Sequence, residues 1–225
     1  MHWLVLVCSC KESLLGDIQV IIFGHDYKDL RLIEHLKNDS KIKDHWLDPV
    51  VRMTSPNQND RPDDSDINLL VIHNISLPPA EFGGDYVRQL FCNELDCSSH
   101  TYFEQLEELK VSAHLFIDRL GHVTQFVSFD KRAWHAGVSC FQQRENCNDY
   151  SIGLELEGVD DQAYTEQQYI RLIIITDLLM DTYPHITADR IVGHSTIAPM
   201  RKTDPGPAFD WRRYRWGLAK VRSAQ

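Results

Sequence analysis

The run Asn68-Leu-Leu-Val-Ile-His73 is continuously apolar between polar ends. That is the pattern of a strand buried on both faces, with His73 at its carboxyl end. Open α/β sheets place their ligand crevice at the carboxyl ends of such strands. A second strand, Ser151-Ile-Gly-Leu-Glu-Leu-Glu157, alternates strictly. Ile152, Leu154 and Leu156 take one face; Gly153, Glu155 and Glu157 take the other, so an open face carries acid. Ser112–Asp118 and His122–Val127 flank an Arg-Leu-Gly turn and predict a β-hairpin with Gly121 at positive φ. Thr165-Glu-Gln-Gln168 has the capping-box form, and Tyr169, Leu172, Ile173, Thr176, Leu179 and Met180 follow at helical spacing until Pro184.

The amino-terminal part reads as an appendage: an apolar start, a short strand pattern over Ile18–Phe23, then Leu30, Leu32, Ile33 and Leu36 on one side of an amphipathic stretch. The polar segment Thr54–Asp66, full of turn formers, separates it from the main apolar patterns. At 225 residues the chain suits one large domain or two small ones. Hydrophobic residues at 43% and charged residues at 25% mark an ordinary folded protein. With 23 Lys+Arg against 33 Asp+Glu, the net charge of -10 opposes binding to nucleic acid phosphates, so no nucleic acid partner is expected. No apolar run approaches the ~20 residues that cross a bilayer, so no membrane partner is expected either. The start lacks the basic region and cleavage site of a signal peptide. Six cysteines are too sparse for a disulfide-stapled domain, which favours a reducing compartment.

The segment Gly193–Pro207 places His194 and Asp204 in a loop rich in Pro and Gly, with Arg201 and Lys202 between them. Ten residues apart, His194 and Asp204 share no helix face, but a loop pinned by Pro199 and Pro205 can fold both onto one ion. The residue before a proline is biased to extended backbone, which restricts where the Asp204 carboxylate points. With His73 the set is two imidazoles and one carboxylate, that of a catalytic zinc with its fourth position left to water. Zinc lowers the pKa of such a water to roughly 7 and polarises a carbonyl, so amide hydrolysis is the natural use. The chemistry also needs a proton-carrying carboxylate and a donor for the oxyanion. Glu155 and Lys202 can fill those posts; on pattern alone Glu157 competes equally with Glu155.

Several longer strings add to this. Leu70–Pro79 with Glu81-Phe-Gly-Gly84, Val111–His114, Asp130-Lys-Arg-Ala-Trp-His-Ala-Gly137, Cys147–Gly158 and Arg201–Trp211 closely resemble the AmpD-type 1,6-anhydro-N-acetylmuramoyl-L-alanine amidases, zinc enzymes of cell-wall recycling in the bacterial cytoplasm. The resemblance runs in order from about His45 to Trp216. It implies a mixed α/β fold (α+β), a central, mostly mixed β-sheet flanked by helices, shared with peptidoglycan-recognition domains. It implies His73, His194 and Asp204 as ligands of Zn2+, with Glu155 and Lys202 as catalytic groups, which breaks the tie with Glu157. It implies an anhydro-muropeptide substrate, cut between the lactyl group of the anhydro sugar and L-alanine, and a cytoplasmic location. Asn74 and Trp134 match groove-lining positions. Where close relatives place arginines that grip peptide carboxylates, this chain has Lys110 and Asn146, with Arg144 nearby. Lysine keeps the charge without the bidentate fork. The match leaves residues 1–44 as an extension, explained by a misassigned start or a genuine appendage, and 45–225 as the catalytic domain. A monomer is expected.

Plainer readings stand beside these. His114 and His135 are read as neighbours of the ligands or groove lining, since an open zinc site needs only three protein ligands. Cys92, Cys97, Cys140 and Cys147 lack a Cys-x2-Cys knuckle and are read as buried free thiols. Lys131, Arg132, Arg201 and Lys202 are either solvated charge or a local positive patch for an anionic substrate. A non-catalytic peptidoglycan-binding module and an amidase of intact wall are the rival functions.

Overall fold

The computed structural model describes residues 39–223 together with Ile33, Leu36 and Lys37. The strand expected over Ile18–Phe23 lies outside the described residues, as do Leu30 and Leu32. Ile33 is buried in the main core with Leu36 packed against it, and Lys37 pairs with the buried Asp177. Part of the segment 1–44 therefore rests on the main body.

The strands, in chain order, are β1 (Lys41–Lys43), β2 (Trp46–Asp48), β3 (Val51–Arg52), β4 (Gln58–Asp60), β5 (Leu69–Ile75), β6 (Leu115–Ile117), β7 (Val123–Gln125), β8 (Lys131–Ala133), β9 (Cys140–Phe141), β10 (Arg144–Glu145), β11 (Ser151–Glu157) and β12 (Ile191–Gly193). Six of them form the central sheet in the order β12-β5-β11-β6-β7-β3. β12, β5, β11 and β6 run parallel, and the β6–β7 pairing is antiparallel, so the sheet is mixed as expected. The β6–β7 pair is the expected hairpin, with Gly121 at φ +83°.

The buried run before His73 divides by parity. Leu70 and Ile72 face a core built with Leu154, Leu156, Leu172 and Leu218, under the helices Glu166–Thr182 and Trp211–Ser223. Leu69 and Val71 pack on the other face with Ala136, Tyr150 and Val192. Burying each such aliphatic side chain contributes roughly 1.5–3 kcal/mol, so this frame can carry polar groups at its carboxyl edge that do not themselves stabilise it. The helix over Glu166–Thr182 has the expected capping box and ends before Pro184. Gln168, the third helical residue and the other half of that box, also donates to the Glu157 carbonyl at 2.9 Å and the Ile117 carbonyl at 3.3 Å. The helix start is thereby tied to the carboxyl ends of β11 and β6.

Two expectations are corrected. The acidic face of β11 is not open: all seven of its residues are buried. The sheet is covered on that side too, by the segment carrying Ala136 and Tyr150. The four described cysteines are free, but only Cys147 is buried, and Cys140 is exposed.

Candidate active site

His73 lies near the carboxyl end of β5 and is paired in parallel register with Glu155 of β11. Register alone thus puts an imidazole and a carboxyl side by side on one face. His194 is not in an irregular loop; it opens the short helix His194–Ile197 directly after β12. The chain then returns through Asp204, whose carbonyl accepts from the Ser195 backbone N–H at 3.0 Å. The return is tight at two glycines. A Cβ on Gly193 would lie 2.7 Å from Pro205 Cδ, and one on Gly206, at φ +76°, would lie 2.2 Å from Asp160 Cα. Tyr164 clamps the same turn by donating to the Pro205 carbonyl at 2.8 Å.

The three expected ligands come together. His73 Nδ1 is 3.0 Å from His194 Nδ1 and 3.0 Å from Asp204 Oδ2, and His194 Nδ1 is 3.1 Å from the same oxygen. His194 Nε2 lies 3.1 Å from the Ala136 carbonyl, which can only accept, so the proton of a neutral ring sits there and Nδ1 is left with its lone pair. Burial works against charge on Asp204, but the two imidazoles outweigh it and hold its carboxyl below the ordinary range. Two electron-pair donors therefore face each other at 3.1 Å, an arrangement that a cation relieves. The donor set fits a divalent metal ion.

Burial takes the His73 imidazole down to about 4, so it stays neutral and able to bind metal at ordinary pH. Glu155 is buried, and its Oε2 has no hydrogen-bond partner among the described residues. Burial, with the Asp204 charge adding to it, pushes its carboxyl well above the usual value, while Lys202 pulls the other way. Lys202 is exposed at the rim of the same cavity, about 390 Å³, which His73, Asn74, Glu155, His194 and Asp204 also line. One wall is apolar, formed by Leu77, Leu106, Leu109 and Val111. Asn74 is oriented by its donation to Asp160 Oδ1 at 2.9 Å.

The remaining expected residues lie apart from this cavity. Lys110 is exposed and does not line it, although its neighbours Leu109 and Val111 do. Trp134 does not line it; its indole N–H donates to Asn59 Oδ1 at 2.7 Å. Arg144 lines a separate hollow, pairs with Asp66 at 2.6 Å and sits 3.9 Å from the Tyr150 ring centroid. Of the four basic residues weighed as a patch, Lys131 pairs with Asp60, Arg132 pairs with Asp149, and Arg201 donates to the Ala136 and Val138 carbonyls. Glu157 accepts from the Gly83 and Arg119 backbone N–H groups at 2.5 and 2.8 Å, so it fastens two loops, and Glu155 is the acid without such duty. His114 accepts from the Gly153 N–H at 3.0 Å and reaches the Lys131 carbonyl at 3.0 Å, which occupies both ring nitrogens away from the cavity.

Residues 63–207 match the family described as N-acetylmuramoyl-L-alanine amidase, Amidase_2. The chain belongs to this amidase family. It is accordingly an N-acetylmuramoyl-L-alanine amidase, of the AmpD type. The 1,6-anhydro-N-acetylmuramyl-L-alanine amidase AmpD of Escherichia coli (strain K12) is 54% identical over 179 residues, covering 80% of this chain and 97% of that protein. A crystal structure of an AmpD selenomethionine derivative superposes with a TM-score of 0.77 at 52% identity, covering 79% of this chain and 98% of that one. AmpDh3 from Pseudomonas aeruginosa, solved in complex with anhydromuramic pentapeptide, aligns with a TM-score of 0.52 at 27% identity, covering 76% of this chain and 64% of that one.

Sequence reasoning passed over Asp160 and Ser151. Asp160 orients Asn74, and its carbonyl accepts from the Ala208 N–H at 2.9 Å. Nothing in its acidic neighbourhood marks it. Ser151 had a signal, as a small polar residue opening a strand that is buried throughout.

Proposed function

We propose that the amidase uses one zinc ion to hydrolyse the amide between the lactyl group of 1,6-anhydro-N-acetylmuramic acid and L-alanine, in cytoplasmic muropeptides bound for peptidoglycan recycling. The observation that carries this reading is the meeting of His73, His194 and Asp204 within coordinating reach, beside a buried carboxyl with a raised pKa. Held by those three side chains, zinc supplies a Lewis acid for the amide carbonyl and makes a water acidic near neutral pH. The AmpD relatives are named for the anhydro sugar and the L-alanine, which supports this choice of substrate.

The chain's own groups divide the remaining work. Glu155 takes the proton of the attacking water and returns it to the departing alanine nitrogen. A carboxyl raised by burial suits both halves of that transfer, because its proton affinity approaches that of the groups it serves. Lys202 stands at the rim, where its ammonium offsets negative charge growing on the carbonyl oxygen. Asn74, held by Asp160, offers a fixed amide to the substrate next to the metal ligand. The apolar wall of Leu77, Leu106 and Leu109 excludes water from one side of the scissile bond, which strengthens every charge interaction inside.

The test is mass spectrometry of the products from a defined anhydro-muramyl tripeptide, with and without chelator. Free tripeptide plus anhydro sugar acid, abolished by chelation and restored by zinc, is the expected result. Release that survives complete metal removal overturns the zinc reading. Strong release of peptide from intact sacculi, with little from the anhydro-muropeptide, overturns the substrate in favour of polymeric wall.

A further inference from the structure

One face of β11 reads Ser151, Gly153, Glu155, Glu157. The last two have been placed, and the first two act on a histidine outside the ligand set. Ser151 Oγ lies 2.6 Å from the Cys147 carbonyl and 3.1 Å from His135 Nε2. A hydroxyl has one proton, and a carbonyl can only accept, so the Ser151 proton is spent on Cys147 and its oxygen accepts from His135 Nε2–H. His135 Nδ1 is then a lone pair, and it sits 2.9 Å from His73 Nε2. The proton in that contact must therefore belong to His73 Nε2, which leaves His73 Nδ1 bare and aimed at Asp204 and His194.

We infer that Ser151 and His135 are positioning residues that fix His73 as the Nε2–H tautomer, so that its Nδ1 is ready to bind the metal. The relay runs in one direction from the Cys147 carbonyl, through Ser151 and His135, to the ligand. Its backbone is held as well: Asn148 Oδ1 accepts from the His135 and Ala136 N–H groups at 3.1 and 2.8 Å. Gly153 gives the ring its room, since a Cβ there would lie 2.4 Å from His135 Cγ. His194 needs no such relay, because the Ala136 carbonyl sets its tautomer directly. Partners behind a ligand typically matter about 10- to 100-fold in metal affinity.

The inference rests on the zinc reading only for its second readout. The first uses metal-free full-length protein: ¹⁵N–¹H correlation spectra of the histidine rings report which nitrogen is protonated. The expected pattern is a proton on Nε2 of both His73 and His135. A His73 ring protonated on Nδ1 overturns the relay even if zinc binds tightly. The second readout is zinc affinity, measured by competition with a chromophoric chelator. Ser151→Ala is expected to weaken zinc roughly 10- to 100-fold and to give His73 mixed tautomers. Ser151→Thr, which keeps the hydroxyl, is expected to restore both. Folded Ser151→Ala with unchanged affinity and a single His73 tautomer overturns the role of the serine. If the wild type binds no zinc, the zinc reading fails while the ring spectra still decide the relay.

Discussion

The two sides of the cleft are built on opposite plans. On the ligand side every outward ring nitrogen has a partner: His194 Nε2 faces the Ala136 carbonyl and His73 Nε2 faces His135. On the other side Glu155 keeps a buried oxygen without a partner among the described residues, and Lys202 is exposed. Glu157, two residues further along the same strand face, shows that the fold can satisfy a buried carboxylate there with two backbone N–H groups. The contrast teaches that fixing and reacting make different demands. Groups that hold an ion gain from having one orientation, whereas a group that exchanges a proton must leave its acceptor free, at a cost in stability.

The largest expected effect is on the fixed side. Asp204→Asn removes the only charge among the three ligands, so zinc content measured by metal analysis is expected to fall to background. Activity should drop by roughly 10³-fold or more, the rate equivalent of several kcal/mol of lost polarisation. Retention of stoichiometric zinc would break the comparison. Glu155→Gln is next: hydrolysis falls by about 10²- to 10⁴-fold, the usual contribution of a positioned acid–base, while zinc stays bound. Its melting temperature should equal or exceed that of the wild type, because a buried carboxyl without a partner has been neutralised. A marked destabilisation would show that Glu155 holds structure as well. Lys202→Ala is expected to reduce turnover by roughly 10²-fold with melting temperature and zinc content unchanged.

The remaining effect is on stability and separates the two sides by sign. The buried His73 ring drops to about 4 from its ordinary 6.5, so the unfolded chain binds more protons between those values. Stability therefore falls as pH is lowered from 6.5 toward 4, by roughly 3 kcal/mol from this group alone in metal-free protein. His114 and His135, driven down chiefly by burial, add in the same direction. Glu155 is raised, so the native state holds its proton above the ordinary value of 4.5, and its contribution fades as pH rises. Melting curves from pH 7.5 to 4.5 test this, and the Glu155→Gln variant should show the steeper acid loss. A flat profile in both proteins would remove the claim that the rings are buried neutral.

Much of this was legible from residue patterns because period and capping act locally. The β5 run, the β6–β7 hairpin and the helix Glu166–Thr182 each follow from side-chain alternation, one glycine or one capping box. The convergence of His73 with His194 and Asp204 was legible as chemistry and through the family resemblance, not as local structure, since sequence distances of 121 and 131 residues separate His73 from its two partners. What escaped was whatever depends on packing between elements. Alternation put Glu155 and Glu157 on one face without telling them apart; in the fold it is Glu157 that Gly83 and Arg119 approach. Arg144 looked available until Asp66 and Tyr150 were seen to engage it. Ser151 was legible as a polar residue opening a buried strand but its role was not, because that role is set by a ring from another segment.

The parallel pairing that sets His73 beside Glu155 has a consequence for how this amidase can be assayed during folding. Side chains on a strand alternate in direction, so sliding β11 by a single residue would bring Leu154 or Leu156 beside His73 and turn Glu155 into the opposite layer. Such a misassembled chain would keep its helices, its compactness and much of its circular dichroism. It would nevertheless turn over no substrate. Recovery of turnover during refolding is thus a stringent reporter of correct strand alignment, one that can lag behind every optical signal of collapse.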